Sequence, residues 1–451
     1  MKKKYPFLNK ELPVLTSIIK AFPLKEIVSL ESVAFVCVQH LLFTTLNLMD
    51  ALLQLGACPD NIHVMGKPYS TSLQVVNQLT AKGCHYYPNL PQKKVGDFSG
   101  CFVKDIKCMW HEVYNHLRKK KIKLVVILDD GGSCLANVPS YISKNYSLVG
   151  VEQTTSGLAD IRTRQLSFPV IEVASSAAKQ LVESPMIAEA VVNKLSKVLP
   201  MGRSRLSCGV IGLGAIGNVI IQKLLSLNHE VITFDKDPEK GQIFFKNLCT
   251  TDIKTLFSKA EYIFGCTGED ITQNLRIEDI NSNKTFISCS SQDKEFLTLL
   301  KVFEEHNCKY DNVLDHLECF FNDYSVKIYR GGFPINLDNS GESVAAYDIQ
   351  LTRGLLLGGV LQAILYATHF SKQENKRYML HPAIQSFVVG DWMSYGSTSL
   401  IPLHILEGFQ DLAWVKRHSQ GTEQENEIIS TAFYYQNNFI KTSPIRLKNY
   451  G

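Results

Sequence analysis

The chain has 451 residues, of which 45% are hydrophobic and 20% are charged, and its formal net charge is +4. This composition is that of a globular protein and excludes a disordered one, and the length allows two or three domains. The one dense basic run, Arg118–Lys123, follows a helical pattern. We interpret it as a solvated helix end, so the sequence predicts no nucleic-acid partner.

The twelve cysteines are scattered singly along the chain. Because no CxxC pair and no cysteine–histidine ligand spacing occurs, the sequence predicts reduced cysteines, a cytoplasmic location and no structural metal. The lysines at positions 2–4 are not followed by an apolar signal-peptide core. The most apolar segment, Gly354–Ala367, is too short to span a bilayer and contains Gln362, which predicts a buried helix and no membrane anchor.

Short apolar runs alternate with helical patterns in the first half of the chain. Helices are predicted at Leu41–Leu55 and Ser72–Lys82, and each ends at a glycine. The predicted strands are Ala34–Val38, Asn61–Met65, Lys123–Leu128, Ser147–Val151 and Val170–Val173. Strands that alternate with helices predict a parallel sheet. Residues 1–190 are therefore predicted to form a substrate-binding α/β domain.

A glycine fingerprint follows the apolar run Leu206–Ile211 and precedes a helical run and a second strand, Val231–Phe234. Gly212 permits a tight turn, Gly214 lets the backbone approach a pyrophosphate, and Gly217 allows close packing of helix and strand. The second strand ends at Asp235, where an acid accepts from a ribose 2′-hydroxyl. This order predicts bound NAD rather than NADP. The alternative that stays open is a Rossmann unit that has lost its cofactor.

The complete pattern predicts an α/β protein with two Rossmann-like, doubly wound parallel-sheet domains and a cleft between them. Residues 191–345 form the predicted NAD-binding domain, in which further strands are predicted at Tyr262–Cys266, Thr285–Ser288 and Ser325–Tyr329. A helix over residues 186–199 connects this domain to the first domain. Residues 346–451 are predicted to form C-terminal helices and a polar tail, with part of 346–415 completing the first domain. The substrate is expected in the cleft.

Several motifs together resemble the S-adenosylhomocysteine hydrolase family. The matching segments stand in the family's order, and they are Leu128–Gly132 (LDDGG), Glu152–Gly157 (EQTTSG), the region around Lys179, the Gly212 fingerprint, Thr267-Gly268, Asn336-Leu337 and Leu403–Leu412. The resemblance implies that bound NAD⁺ oxidises a nucleoside 3′-hydroxyl, which promotes elimination of a 5′-thioether and addition of water.

The resemblance also implies site residues. The implied catalytic residues are His40, Asp130, Lys179 and Glu183, with Lys179 taking the hydroxyl proton at a lowered pKa. The implied cofactor-binding residues are Thr154, Thr155, Ser156, Gly212, Gly214, Ala215, Ile216, Gly217, Asp235, Thr267 and Asn336. The implied substrate-binding residues are Thr44, Thr45, Gln153 and Glu342. No metal ligand is implied, and the family's assembly implies a homo-oligomer, either a tetramer or a dimer.

The departures from the family pattern cluster where the family reads adenine and ribose. The changed positions are Leu42, Thr44, Gln153, Ala174, Ser291 and Glu342, and Lys448 and Tyr450 near the C-terminus have the wrong spacing. Loss of several polar contacts at roughly 1–3 kcal/mol each weakens adenosine binding strongly. The pattern therefore indicates an altered substrate more than a dead enzyme.

Three hypotheses stay open. The first is an NAD-dependent enzyme of the S-adenosylhomocysteine hydrolase type. The second applies the same 3′-oxidation to a different nucleoside or a sugar, and the third is a non-catalytic protein that binds NAD and acts through partners. A plain 2-hydroxyacid dehydrogenase shares the two-domain layout, but its catalytic Arg and His motifs after the Rossmann unit are not found.

Overall fold

The computed structural model describes residues 12–22, 24, 28–199, 205–240, 247–306, 308–321, 323–337, 342–369 and 377–419. The lysines at positions 2–4, Lys448, Tyr450 and the predicted polar tail beyond residue 419 lie outside these ranges.

Thirteen strands in the described ranges form two sheets. In chain order they are β1 Val33–Leu41, β2 Ile62–Thr71, β3 His85–Tyr87, β4 Leu124–Asp129, β5 Ser147–Glu152, β6 Val170–Glu172, β7 Ser207–Ile211, β8 Glu230–Phe234, β9 Tyr262–Gly265, β10 Lys284–Ser288, β11 Leu317–Phe321, β12 Tyr324–Ile328 and β13 Arg377–Met379. The first sheet has the order β13-β6-β5-β4-β1-β2-β3, and the second has the order β11-β12-β10-β9-β7-β8.

Helices cover both faces of each sheet. In chain order they are α1 Pro13–Ala21, α2 Phe43–Gln54, α3 Leu73–Ala81, α4 Phe98–Leu117, α5 Ser133–Ala136, α6 Ser140–Asn145, α7 Thr155–Arg162, α8 Ser184–Val198, α9 Ala215–Ser226, α10 Ile253–Lys259, α11 Leu297–Glu305, α12 Ala346–His369, α13 Pro382–Trp392, α14 Leu403–Gly408 and α15 Leu412–His418.

Strand β1 illustrates why the first sheet is buried on both faces. Its residues are apolar almost without interruption because parallel strands are covered by helices on each side. Val33, Phe35 and Cys37 point into one core with α1, α2, α12 and α13. Ala34, Val36 and Val38 point into the opposite core with α4 and α7. Both sheets are dominated by parallel pairs, which confirms the predicted fold class.

Three short strands were not predicted, and all lie at sheet edges. They are β3, β11 and β13, and β11 pairs antiparallel with β12. Short edge strands carry a weak periodic signal, so only tertiary pairing defines them. Strand β13 comes from the C-terminal third of the chain and pairs with β6 in the first sheet.

Helix α12 is longer than the predicted apolar segment. It spans 24 residues and is long and apolar enough to cross a membrane by length and composition alone, but its most apolar window is 100% buried inside the protein. It packs against β4, β5 and β6. We therefore interpret α12 as the central core helix of the first domain.

One cysteine pair differs from the prediction. Cys308 and Cys319, which are 11 positions apart in the chain, form a disulfide that joins the segment after α11 to strand β11. The other ten described cysteines are free. The prediction of reduced cysteines is wrong for this pair, because only the folded edge at β11 brings the two residues together.

The two sheets meet at the loops that follow their strands. Phe98 N donates to Asp293 Oδ2 at 3.4 Å, and the rings of Tyr69 and Phe333 lie 4.7 Å apart. These contacts join the loop after β10 and the segment after β12 to the first domain. The carboxyl ends of both sheets therefore border one shared region, the location that open α/β sheets use for ligands.

Candidate functional site

The glycine loop after β7 has the geometry of a dinucleotide-binding turn. Gly212 has a φ of +99°, and a Cβ atom at Gly217 would lie 1.9 Å from the carbonyl oxygen of Gly212. A Cβ at Gly214 would meet nothing within 4 Å. Gly212 and Gly217 are thus required by the backbone, whereas Gly214 faces the open space that a pyrophosphate needs.

Helix α9 starts at this loop. The helix begins at Ala215, and its N-cap residue, Gly214, has no side chain. The first amides of the helix, those of Ala215 and Ile216, therefore have no side-chain cap. Free amides at a helix N-terminus bind phosphate oxygens. The residues present therefore fit a dinucleotide.

Asp235 lies at the end of β8, beside the same loop. Its Oδ2 accepts from Leu213 N at 2.7 Å, and Lys240 Nζ lies 3.9 Å from that oxygen. Its Oδ1 accepts from Asp237 N at 2.9 Å. The carboxylate is thus fixed at the point where a ribose 2′-hydroxyl is expected.

Thr267 and Gly268 form the opposite wall of the loop. Thr267 N donates to Glu295 Oε1 at 2.6 Å and Thr267 Oγ1 donates to Glu295 Oε2 at 3.0 Å. A Cβ at Gly212 would lie 2.9 Å from Thr267 Cγ2. Glu295 is buried, which raises its pKa. It therefore positions the segment after β9 from behind.

The other predicted cofactor residues differ in how much of their hydrogen-bonding capacity is free. Thr154 caps α7 by accepting from Gly157 N at 3.0 Å. Thr155 is exposed, and Ser156 Oγ is buried without a partner among the described residues. Ile335 N donates to Ser288 O at 3.0 Å, which holds the adjacent Asn336 beside the end of β10. Ser156 Oγ is the atom of this group that most needs a ligand.

His40 lies near the end of β1 in a buried polar cluster. Its Nε2 is 3.4 Å from Asp130 Oδ2, and its Nδ1 is hydrogen-bonded to Ser70 Oγ. Burial lowers the pKa of His40 to about 4, although Asp130 acts in the opposite direction. The imidazole is therefore neutral at pH 7 and able to donate or accept a proton.

Asp130 follows β4 and is the centre of the cluster. It accepts from Gln153 Nε2, and its Oδ1 lies 3.8 Å from Lys67 Nζ. Burial alone raises the pKa of Asp130, but His40, Lys67, Lys179 and Arg353 together bring the pKa below its ordinary value. Asp130 is therefore ionised. Gln153 Oε1 is buried without a partner in the described ranges, so it is free to accept from a ligand.

Glu152 holds the loops around Asp130 in place. Its Oε2 accepts from Gly132 N at 2.9 Å, and its Oε1 accepts from Gly131 N at 3.2 Å and Thr154 N at 2.8 Å. Burial raises the pKa of Glu152 well above its ordinary value. The first glutamate of the EQTTSG segment is thus a positioning residue that ties the DDGG loop to the start of α7.

Lys179 and Glu183 form a buried ion pair within a π-helical turn, Ala178–Glu183. Glu183 Oε1 also accepts from Thr352 Oγ1 on α12 at 2.6 Å. The side chain of Lys179 is only 14% exposed. Because π-helical turns are frequent at functional sites, this local irregularity is a second sign that the pair has a role.

Arg353 on α12 connects two of the predicted substrate residues. Its Nε donates to Thr44 Oγ1 at 3.1 Å, and Thr44 N donates to Glu342 Oε1 at 2.6 Å. Burial lowers the pKa of Arg353, while Glu342, Asp130 and Glu183 oppose that shift. Burial raises the pKa of Glu342. The hydroxyl of Thr45 donates to His40 O at 2.6 Å, so Thr45 fixes the start of α2.

These residues form one buried, charge-balanced cluster. Three cationic side chains, Lys67, Lys179 and Arg353, face three carboxylates, Asp130, Glu183 and Glu342. Buried charges are stable only when paired and hydrogen-bonded. The cluster can therefore bind several hydroxyl groups of one ligand and hold or release a proton at a defined atom.

Sequence reasoning missed Lys67, Ser70, Thr352 and Arg353. Lys67 is 1% exposed in the middle of β2, and Arg353 is 4% exposed in the apolar helix α12. The available signal was a basic residue inside an otherwise apolar run, which is rare unless the charge is paired.

Comparisons with known proteins support a nucleotide-binding Rossmann domain. Residues 207–292 match the family described as NADP oxidoreductase, coenzyme F420-dependent. Over 347 residues the chain is 29% identical to an uncharacterized protein of Mycobacterium tuberculosis strain CDC 1551, and equally to one of strain H37Rv. These matches cover 74% of this chain and 65% of each relative, so the chain spans less than two thirds of their length.

Two solved structures of NAD-complexed dehydrogenases are weakly similar to this chain. A D-isomer specific 2-hydroxyacid dehydrogenase from Lactobacillus delbrueckii ssp. bulgaricus matches with a TM-score of 0.32 and 10% identity, covering 75% of this chain and 99% of that chain. An NAD-dependent formate dehydrogenase from Staphylococcus aureus matches with a TM-score of 0.33 and 10% identity, covering 68% and 93%.

These comparisons contradict the resemblance to S-adenosylhomocysteine hydrolases, and that interpretation of the short motifs is wrong. The family matched over residues 207–292 is an oxidoreductase family, and the relatives named above are uncharacterized proteins. The motifs misled because DDGG and EQTTSG are needed to build the loops: Gly131, Gly132 and Thr154 all bind Glu152. The predicted cofactor is confirmed as an NAD(P)-type dinucleotide by the family match and the glycine loop.

Asp235→Ser is expected to lower the affinity for NAD by about 10- to 100-fold, because a hydrogen bond to a charged group contributes roughly 1.5–3 kcal/mol. Affinity for NADP is expected to increase, because the substitution removes a carboxylate that repels a 2′-phosphate. Titration of cofactor fluorescence measures both constants. Asp237→Ser is the matched control, because Asp237 is exposed. Equal losses in the two variants would contradict this role of Asp235.

Stability is expected to fall as the pH drops from about 6.5 to about 4. The pKa of His40 is lowered to about 4 in the folded protein, so the unfolded chain binds the additional proton in this window, at a cost on the order of 3 kcal/mol. His63, whose pKa burial lowers to about 3, acts in the same direction. His40→Gln removes only the first contribution. Urea unfolding at several pH values checks this, with exposed His111→Gln as the control.

Proposed function

We propose that this protein is an NAD-dependent oxidoreductase that oxidises a secondary hydroxyl of a nucleoside, sugar or similar hydroxyl-rich substrate. One observation carries the proposal: the buried Lys179–Glu183 pair belongs to a charge-balanced cluster at the carboxyl ends of the first sheet. Oxidation also requires a hydride acceptor, and the Rossmann domain is proposed to bind it. The loop after β10 of that domain contacts the first domain through Asp293 and Phe98.

The residues divide the work as follows. When bound, the dinucleotide supplies a hydride acceptor. Lys179 Nζ accepts the proton of the substrate hydroxyl as the Lys179 ammonium passes a proton to Glu183, its ion-pair partner. Thr352, which donates to Glu183 Oε1, holds that carboxylate in place. His40 Nε2 and Asp130 bind a second hydroxyl, and Gln153 Oε1 accepts from a further one.

The substrate class follows from the donors and acceptors. Arg353 is already engaged with Thr44 and faces three carboxylates, so the site carries no surplus positive charge for an acidic substrate. Neutral hydroxyls can donate to carboxylates and accept from ammonium or imidazole groups. This favours a polyol-like substrate over a 2-hydroxy acid.

The experiment is an NADH-formation assay with panels of nucleosides, sugars and 2-hydroxy acids. Before the assay, the purified protein is denatured and its released small molecules are identified by mass spectrometry. NADH formation with a nucleoside or sugar supports the proposal. Exclusive use of 2-hydroxy acids contradicts the substrate class. NAD binding without turnover of any panel member contradicts the enzymatic role and leaves a binding protein.

We also propose that the chain self-associates through the dinucleotide domain. Strand β11 is an edge strand of the second sheet, and its Phe320 is 75% exposed. Exposed edge strands pair readily with another chain. Sedimentation velocity of the purified protein tests this: Phe320→Lys is expected to give monomers if the edge is the interface, and an unchanged oligomer would contradict it.

A further inference from the structure

A second cluster of polar side chains lies far along the first sheet, at the opposite end of the strands from the Asp130 cluster. Asp60 is in the turn before β2, His85 is the first residue of β3, and His116 is in the last turn of α4. One potential ligand atom from each residue lies within 4.8 Å of the other two. None of these residues has a role in the proposed oxidation.

The imidazole rings form a compact group with His63 on β2. The rings of His63 and His85 stack with centroids 5.0 Å apart, and His116 packs edge-on at 4.8 Å from each. His63 Nδ1 is hydrogen-bonded to Tyr87 Oη at 2.8 Å. The three imidazoles are in mutual contact and bring several nitrogen atoms together.

Two nitrogen atoms in this group have no hydrogen-bond partner within the described part of the chain. They are Nε2 of His63 and Nε2 of His116, and both atoms are buried. His63 itself is 0% exposed. Buried polar atoms without partners are uncommon and call for an explanation such as a bound ion.

Asp60, the carboxylate of this cluster, is already in contact with the ammonium group of Lys120. Asp60 Oδ1 lies 2.9 Å from His85 Nε2, and Asp60 Oδ2 lies 2.5 Å from Lys120 Nζ. His85 and Asp60 are 38% and 42% exposed, so an ion can reach them from solvent. A metal ion must displace the ammonium group of Lys120, which is itself 43% exposed and able to swing into water.

We propose that Asp60, His85 and His116 bind a divalent transition metal ion of the zinc class. Imidazole and carboxylate are ligands that suit zinc, and three protein ligands with an open fourth position is a common arrangement. Ligand atoms bonded at roughly 2.0 Å to a tetrahedral ion lie about 3.3 Å apart. The three ligand atoms must therefore move closer together by rotation of their side chains. The partly exposed side chains of Asp60 and His85 permit this rotation. The ion would tie the short edge strand β3 to β2 and the end of α4.

Cobalt titration of the full chain, after chelator treatment and dialysis, tests the site. Co²⁺ is expected to give visible d–d absorption without the intense near-ultraviolet band of thiolate ligands, and Zn²⁺ is expected to displace it. The absence of that band distinguishes binding at the histidine cluster from binding at any of the ten free cysteines. Zn²⁺ is also expected to raise the thermal unfolding temperature, because a ligand that binds the folded state stabilises it.

Three variants and one matched control decide the assignment. His116→Ala and His85→Ala are expected to weaken metal binding by about 100-fold or more, since even outer-shell changes cost 10- to 100-fold. His111→Ala is the matched control, an exposed histidine on the same helix. Lys120→Gln is expected to tighten binding several-fold by freeing Asp60. Absence of the cobalt spectrum, or equal binding in His116→Ala and His111→Ala, would overturn the proposal, and these readouts are independent of catalysis.

Discussion

Lys179→Met is expected to lower the rate of hydroxyl oxidation by about 10²- to 10⁴-fold, which is the usual contribution of general acid–base catalysis. Methionine preserves most of the side-chain volume but cannot accept the substrate proton. The affinity for NAD is expected to stay unchanged, because the substitution leaves intact the glycine loop and the Asp235 carboxylate that accepts from Leu213 N. Single-turnover NADH formation measures the rate, and fluorescence titration measures the cofactor affinity.

Lys82→Met is the matched control for this variant. Lys82 also pairs with a carboxylate, at 2.9 Å from Asp50, but lies on the surface and is 37% exposed. Its replacement is expected to leave the rate unchanged. A Lys179→Met protein that retains the wild-type rate, with far-ultraviolet circular dichroism unchanged, would show that the pair has only a structural role.

Arg353→Met is expected to destabilise the protein by about 3–5 kcal/mol, because removal of one partner leaves buried carboxylates without compensation. The guanidinium group is buried and faces Glu342, Asp130 and Glu183. The double variant Arg353→Met, Glu342→Gln is expected to regain part of this loss, since it removes one uncompensated carboxylate. Urea unfolding monitored by circular dichroism and by tryptophan fluorescence gives the free energies.

Arg205→Met is the control for the loss of an ion pair as such. Arg205 lies 3.5 Å from Glu230, and both side chains are more than half exposed. Surface pairs contribute about 0–1 kcal/mol, so this change is expected to have little effect. If Arg353→Met proved as mild as Arg205→Met, or if the double variant were no more stable than the single one, the buried charge balance would not be a stabilising feature.

The sheet-forming elements were predictable where local pattern and tertiary packing agree. Continuous apolar runs identify β1 and β4 because both faces of each strand are covered. The β7–α9–β8 unit was predictable because Gly212 and Gly217 are required by the backbone and stand between two apolar strands in a fixed order. The edge strand β13 has only three residues, and its partner β6 lies some two hundred positions earlier in the chain. Nothing local encodes that pairing.

The site was predictable only in part, for a similar reason. His40 and Asp130 stand at the ends of predicted parallel strands, and the structure brings them together with Lys67 and Gln153. Arg353 reaches Thr44 only because α12 crosses the first sheet. The short motifs indicated where loops turn, but they did not define the substrate, since a loop-building glutamate such as Glu152 serves unrelated activities equally well.

The late position of β13 and α12 has a consequence for how the chain folds during synthesis. All six strands of the second sheet lie within residues 207–328, so that sheet can form as soon as those residues leave the ribosome. The first sheet lacks its central core helix and its last strand until residue 379 has been made. Even α1 must wait, because Val14 N donates to Gln350 Oε1 on α12 at 3.2 Å. We expect the dinucleotide-binding half to mature first on the ribosome, while the chain made earliest stays dependent on chaperones until its distant partner arrives.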